Sequence, residues 1–68
     1  MEKIRIGSSV RDSDRAWLVA ATGTGGKRCE VWIPKSLCET TREGCPLRTV
    51  VWAPRWFATR ENLREEVV

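Results

Sequence analysis

The chain has 68 residues, with twelve Lys and Arg against nine Asp and Glu, a formal net charge of +3 and no histidine. This length suits one domain and excludes a second domain with its own core. A composition of 41% hydrophobic and 31% charged residues excludes general disorder. The sequence has no run of about 18 apolar residues and no apolar leader after Met1, so we expect a soluble protein of the cytoplasm.

Three strand patterns occupy the first half of the chain. Residues 3–6 alternate charged and apolar side chains, which predicts a short first strand that the Gly-Ser-Ser of residues 7–9 interrupts. Residues 16–21 form an apolar run of strand length. The glycine-rich residues 22–27 then predict a hairpin loop leading to a third strand over 29–33. In that strand the odd positions share one face, and Glu30 and Trp32 share the other.

The second half predicts a corner, a fourth strand and a helix. Pro34 ends the third strand, and residues 35–38 predict a tight turn or one 3₁₀ turn. Residues 39–46 are polar with Gly and Pro near their end, which predicts a loop. The β-branched run 47–53 is the fourth predicted strand. Pro54 suits the first turn of a short helix that extends to residue 66.

These elements predict a mostly β fold: a small four-stranded bent sheet, or a partly closed SH3-like or OB-like barrel, with a short C-terminal helix. Residues 1–68 then form one small β domain, with a first strand and turn (1–14), a sheet core (15–53) and the helix (54–66). The predicted core consists of apolar strand residues, namely Ile4, Ile6, Leu18, Val31, Ile33 and Val50. Three tryptophans are expected to join it, namely Trp17, Trp52 and Trp56.

A run of motifs resembles one group of proteins. Trp32-Ile33-Pro34-Lys35-Ser36 follows the apolar residues 16–19 and precedes the Pro-Arg-Trp-Phe-Ala of residues 54–58. This order is similar to that of small, mostly uncharacterised proteins encoded by phages and other mobile elements, and the similarity covers roughly residues 15–63. It implies a small β module working in a bacterial cytoplasm, and it implies no particular activity. Residues 1–14 and the loop 39–45 fall outside the similarity.

The sequence offers few residues that suit a catalytic role. Without histidine, a general base would have to be a carboxylate, lysine or cysteine whose pKa burial has shifted, and a domain of this size offers little burial. The glycine-rich residues 22–27 lack the Gly before them and the Ser or Thr after them that a phosphate-binding P-loop requires. Three cysteines with neither a CxxC pair nor histidine do not supply a structural zinc site. We therefore expect a non-catalytic module with no cofactor and no metal.

The four tryptophans are more than one small core needs, so some are candidates for binding. Trp32 is evenly placed between core and surface. Basic residues near it in the sequence predict a strip that tracks a phosphate backbone, although they also suit an ordinary solvated surface. The candidate binding residues are Trp32, Lys27, Arg28, Lys35, Arg15 and Arg5. The sequence predicts a module that binds nucleic acid or a nucleoprotein complex. The alternative is a protein-binding inhibitor or adaptor that acts on a host complex, such as a defence system.

Overall fold

A computed structural model describes residues 2–66 of the chain. These residues form one antiparallel sheet of five strands in the order β3-β2-β1-β5-β4, so β3 and β4 are its two edges. No helix formed by these residues is long and apolar enough to cross a membrane. The elements are β1 (Lys3–Asp12), β2 (Ala16–Thr22), β3 (Arg28–Pro34), a 3₁₀ turn (Lys35–Leu37), β4 (Glu39–Glu43), β5 (Arg48–Pro54) and α1 (Arg55–Arg60).

The predicted mostly β fold with a short C-terminal helix is confirmed, but the count of four strands is wrong. Residues Glu39–Glu43, predicted as a loop, pair with β5 from Glu39 opposite Trp52 to Glu43 opposite Arg48. Charged residues and threonines are tolerated there because β4 is an edge strand whose side chains are mostly exposed. The sheet does not close on itself, because β3 and β4 remain its two edges.

β1 extends past its predicted end because Gly7 continues the strand. The predicted strand covered residues 3–6, whereas β1 runs to Asp12 and is the central strand of the sheet. Gly7 lies opposite Ala21 on one side and Val51 on the other. A Cβ atom at this position would stand 2.0 Å from the main-chain oxygen of Ala20. Glycine therefore allows β1 and β2 to approach closely, which a hydropathy pattern does not reveal.

The hydrophobic core lies on one face of the sheet, beneath α1 and the segment that follows it. Ile4, Ile6 and Ile33 are buried there as predicted, and Val31 is half-buried against it. Leu18 is not part of this core, because it lies opposite Trp32 on the other face. Val50 is fully buried but lies outside the core cluster. The cluster consists of Ile4, Ile6, Val19, Ala21, Ile33, Val51, Ala53, Phe57, Ala58 and Leu63.

The predicted tryptophan core is only partly correct. Trp17 is half-buried and packs against the core cluster. Trp52 is half-buried, and its indole N–H donates to the Thr41 hydroxyl at 2.9 Å. Trp56 is 44% exposed, because α1 places it on the outer side of the helix while Phe57 is buried. The chain therefore has more tryptophans than its core contains, since Trp32 and Trp56 are exposed.

The helix is shorter than predicted, because the chain leaves it at Arg60 and crosses the end of the sheet. Asn62 has a φ of 57°, the left-handed conformation that commonly ends a helix. The Arg64 N–H then donates to the Thr22 carbonyl at 2.8 Å, and the Glu66 N–H donates to the Arg5 carbonyl at 2.7 Å. These bonds hold residues 62–66 against the ends of β1 and β2, where Leu63 is buried in the core.

Candidate functional site

The register of the first three strands separates a core face from an open face. Val19 lies opposite Val31, and these side chains belong to the core face. Neighbouring residues in a strand point to opposite sides, so the next positions point away from the core. We call this second surface the open face. It carries Ser8 and Arg11 from β1, Leu18 and Ala20 from β2, and Arg28, Glu30 and Trp32 from β3.

Trp32 is the largest exposed side chain of the open face. Its exposed fraction is 52%, so Trp32 lies on the surface and not in the core, a choice that the sequence leaves open. The register places Arg11, Leu18 and Trp32 in one row across β1, β2 and β3. Directly opposite residues have Cβ atoms about 4.5–5.5 Å apart. Leu18 therefore adjoins both Arg11 and Trp32, and it lies between them in the row. Trp32 therefore presents its ring at the surface of the sheet, beside Leu18.

A shallow groove of about 380 Å³ runs beside this row and is lined by Val10, Ala20, Arg28, Cys29 and Glu30. Val10 is the extra residue where the pairing of β1 with β2 shifts, and it is 52% exposed. A bulge of this kind re-aims side chains at a sheet surface. The groove thus joins an apolar wall to the charged residues of β3.

Two predicted cations lie at the hairpin end of the open face. Arg28 is four residues from Trp32 on the same face of β3, about 13 Å along the strand, and Lys27 precedes it in the loop. Both are exposed. Within residues 2–66, Arg11, Lys27 and Arg28 have no carboxylate at ion-pair distance. Glu30 lies between Arg28 and Trp32 and offsets part of this positive charge.

Arg5, although predicted as a binding residue, is engaged in holding the fold together. Its Nε atom lies 2.9 Å from Glu66 and its Nη1 atom 2.6 Å from Glu43. The hydrogen bond to Glu66, followed by the bond to Glu43, raises the pKa of Arg5. Hydrogen bonds from Thr41 and then from Arg5 lower the pKa of Glu43. This network ties β4 and the C-terminal segment to β1, so Arg5 is not available to a ligand.

Acid should weaken this network. Because the folded pKa of Glu43 is depressed, its contribution to stability is present above its ordinary pKa and is lost as the pH falls through the lowered value. We expect wild type to be more stable than Glu43→Gln at pH 7, with the difference shrinking once the pH falls below the ordinary glutamate pKa of about 4.3 and disappearing below the lowered pKa of the folded protein. Urea unfolding at a series of pH values measures this, with Glu65→Gln as the control. A difference that persists unchanged to pH 2 would contradict the assignment.

Lys35 and Arg15 lie at the end of the sheet away from the hairpin. The Lys35 Nζ atom is 2.6 Å from Asp12 and 4.6 Å from the ring centroid of Trp17. Because Trp17 packs against the core, this ammonium lies on the side of the sheet opposite Trp32. Arg15 is exposed in the turn between β1 and β2, and its carbonyl accepts a bond from the Lys35 N–H at 2.8 Å.

The structure therefore brings together half of the predicted site. Trp32 and Arg28 share the open face, and Lys27 precedes Arg28 in the hairpin loop. Arg15 lies in the turn at the opposite end of the sheet, Lys35 lies on the other side of the sheet, and Arg5 is paired. Arg11 and Leu18 belong to the open face and were not predicted as binding residues. The pairing of β1 with β2 beyond Gly7 places them there, and no local sequence pattern signals that register.

The three cysteines differ in exposure. Cys38 is half-buried, and burial raises the pKa of its thiol. Cys29 and Cys45 are exposed free thiols. The part of the chain that the structure describes contains no group of three or more potential metal ligands.

Comparisons with protein-family models, with curated proteins and with solved structures find no match to this chain.

Proposed function

We propose that the chain binds single-stranded nucleic acid across its open face, with Trp32 as the stacking platform. The observation that carries this proposal is a tryptophan with half of its surface exposed, on the same sheet face as Arg11 and Arg28. Proteins that bind single strands combine such an aromatic with cations that follow the backbone. Stacking of one base on an aromatic contributes about 1–3 kcal/mol.

The surroundings of Trp32 suit a pre-formed platform. On the opposite side of β3, Ile33 is fully buried and Val31 packs against the core. The strand that carries the indole is therefore fixed before a ligand arrives, which lowers the entropic cost of binding. Arg11 is near the indole in the same row, and Arg28 stands at the mouth of the groove. From Trp32, Arg11 lies across the strands and Arg28 lies along β3, so a nucleic acid on this face would meet positive charge in both directions.

The open face favours tolerance of base sequence. Stacking is available to every base, because every base has a π face. We therefore expect preferences between sequences to be small in comparison with the dependence on salt. The same proposal includes three further points. The chain acts in a bacterial cytoplasm, it originates from a mobile element, and its fold is of the SH3-like or OB-like barrel type.

A protein partner is the second candidate, and the exposed apolar residues favour it. Val10 and Trp32 are each 52% exposed near the half-buried Leu18, and buried aromatic anchors dominate many protein interfaces. An inhibitor or adaptor of a host complex would use the same face. The two candidates differ in electrostatics, because an apolar interface responds weakly to salt.

The decisive experiment is a titration of labelled oligonucleotides at two salt concentrations. Trp32→Ala should weaken binding about 5- to 150-fold through lost stacking. Arg28→Ala should weaken binding and reduce the log–log salt slope by about 0.7, the value for one lost contact to a single strand. Trp56→Ala is the matched control, since Trp56 is also exposed but lies on α1, and it should bind as wild type does.

Two binding results would contradict the nucleic-acid proposal. The proposal is wrong if no oligonucleotide binds at low salt, or if Trp32→Ala and Trp56→Ala bind alike. In that case, a complex recovered from bacterial lysate that survives nuclease, has a shallow salt slope and is lost in Trp32→Ala would support the protein partner.

A further inference from the structure

One edge of the sheet, the outer side of β3, has unpaired main-chain groups. The Lys27 carbonyl accepts a bond from the Gly23 N–H at 2.7 Å, and the Lys35 N–H donates to the Arg15 carbonyl at 2.8 Å. In an antiparallel pair, alternate residues direct both groups to the neighbour. The odd residues of β3 therefore bond to β2, and Arg28, Glu30, Trp32 and Pro34 direct their main-chain groups outward. No other strand of residues 2–66 pairs there.

The position of Pro34 agrees with this pattern. Pro34 lacks an N–H and lies opposite Ala16, where the alternation directs its nitrogen away from β2. Proline is accepted in a sheet only where the missing donor breaks no bond. The outer side of β3 thus offers the donors of Arg28, Glu30 and Trp32 and the acceptors of all four residues.

The two edges of the sheet are protected unequally. β4 has five residues, all of them charged residues or threonines, which is how natural proteins prevent unwanted pairing of an edge. β3 has seven residues and carries the exposed Trp32. Its charged residues, Arg28 and Glu30, have opposite signs and form no ion pair within residues 2–66. An edge with these features fits a specific partner strand.

We propose that β3 pairs in antiparallel fashion with β3 of a second copy of this chain, about a two-fold axis at Val31. This register is the one in which all seven residues overlap and the outward groups face each other, giving about six main-chain hydrogen bonds. A register centred on Glu30 would set two like charges directly opposite, which is unfavourable. A register centred on Cys29 would pair only three strand residues of each copy.

The side chains complement each other in the centred register. On the open face, Trp32 lies opposite Glu30 of the second copy and diagonal to its Trp32 and Arg28, within reach of long side chains. The two indoles thus meet near the axis, with charges of opposite sign outside them. On the core face, Val31 meets its own copy across the axis. This pairing is independent of the proposed function, because it is carried by the main-chain groups of the β3 edge and not by the indole.

The test is the molecular mass in solution, measured by sedimentation equilibrium from micromolar to millimolar chain. Wild type should rise from 7.8 kDa towards twice that mass. Glu30→Pro removes an outward donor and no bond to β2, so it should remain monomeric with the circular dichroism of wild type. Glu30→Ala keeps the donor and should dimerise. A wild type that is monomeric throughout, or equal dimerisation of the two variants, overturns the proposal.

A cross-link tests the register even if Glu30→Pro fails to fold. With the three native cysteines replaced by serine, Val31→Cys places two thiols across the axis, where the Cα atoms of a non-hydrogen-bonded pair are about 4.5 Å apart and a disulfide is feasible. Mild oxidation should give a covalent dimer. No covalent dimer with Val31→Cys, together with a dimer linked through Cys29 in wild type, would contradict the centred register.

Discussion

Gly7→Ala is expected to destabilise the fold by about 3 kcal/mol or more, which for a domain of this size is a large part of the total. The added methyl would stand 2.0 Å from the main-chain oxygen of Ala20 and 2.9 Å from its carbonyl carbon. Both atoms belong to the backbone of β2, so no flexible side chain can move to relieve the clash. β1 would have to separate from β2 at the centre of the sheet.

The control for this prediction is Gly25→Ala, because a Cβ at Gly25 has no atom within 4 Å and no positive φ is recorded there. Its free energy of unfolding should change by less than about 0.5 kcal/mol. Chemical denaturation of both variants gives the comparison. A Gly7→Ala protein as stable as Gly25→Ala would mean that β1 and β2 are farther apart at Gly7 than the structure places them.

Ile33→Ala is expected to destabilise the fold by about 2–5 kcal/mol, through lost burial and the cavity left behind. Ile33 is fully buried although it lies on an edge strand, because it faces the core opposite Trp17. Val31 lies on the same face of the same strand and is half-buried. Val31→Ala should therefore cost less, about 1–2 kcal/mol.

The comparison between these two variants tests which part of β3 is buried. Denaturant unfolding with a constant m-value would confirm that stability alone has changed. Equal losses at the two positions, or a change within 0.5 kcal/mol at Val31, would contradict the burial of β3. Glu30→Ala, on the open face immediately before Val31, serves as the reference for a surface substitution.

The local patterns that predict the fold correctly are those whose partners are near in sequence. Alternation in residues 29–33 predicts the strand and sets Trp32 on the face opposite Val31 and Ile33, because the glycine-rich hairpin pairs β3 with β2 directly. It leaves open which of the two faces is buried, and only the structure shows that Trp32 is exposed. β4 has no such signal. Its polar residues are strand-like only because β5, whose own run is β-branched, is available to pair with them.

The site was predicted in part for the same reason. Lys27, Arg28 and Trp32 are placed by one hairpin, so their proximity follows from the sequence. In the sequence, Arg5 and Lys35 cannot be distinguished from the other basic residues. Only the tertiary structure shows that they form ion pairs, Arg5 with Glu66 and Lys35 with Asp12. Arg11 reaches the row of Trp32 through a bulged pairing of β1 with β2, which depends on the long-range register of the sheet.

The distribution of the tryptophans has a spectroscopic consequence. The chain has four tryptophans and no tyrosine, so its near-ultraviolet fluorescence arises almost entirely from indoles in different surroundings. Trp32 and Trp56 are in contact with solvent, whereas Trp17 lies beneath the Lys35 ammonium and Trp52 donates to Thr41. A base stacked on Trp32 would quench only the solvent-exposed part of the emission, while unfolding would shift the emission of the sheltered indoles as well. Ligand binding and loss of structure therefore carry separate optical signatures, and the unlabelled chain reports on both.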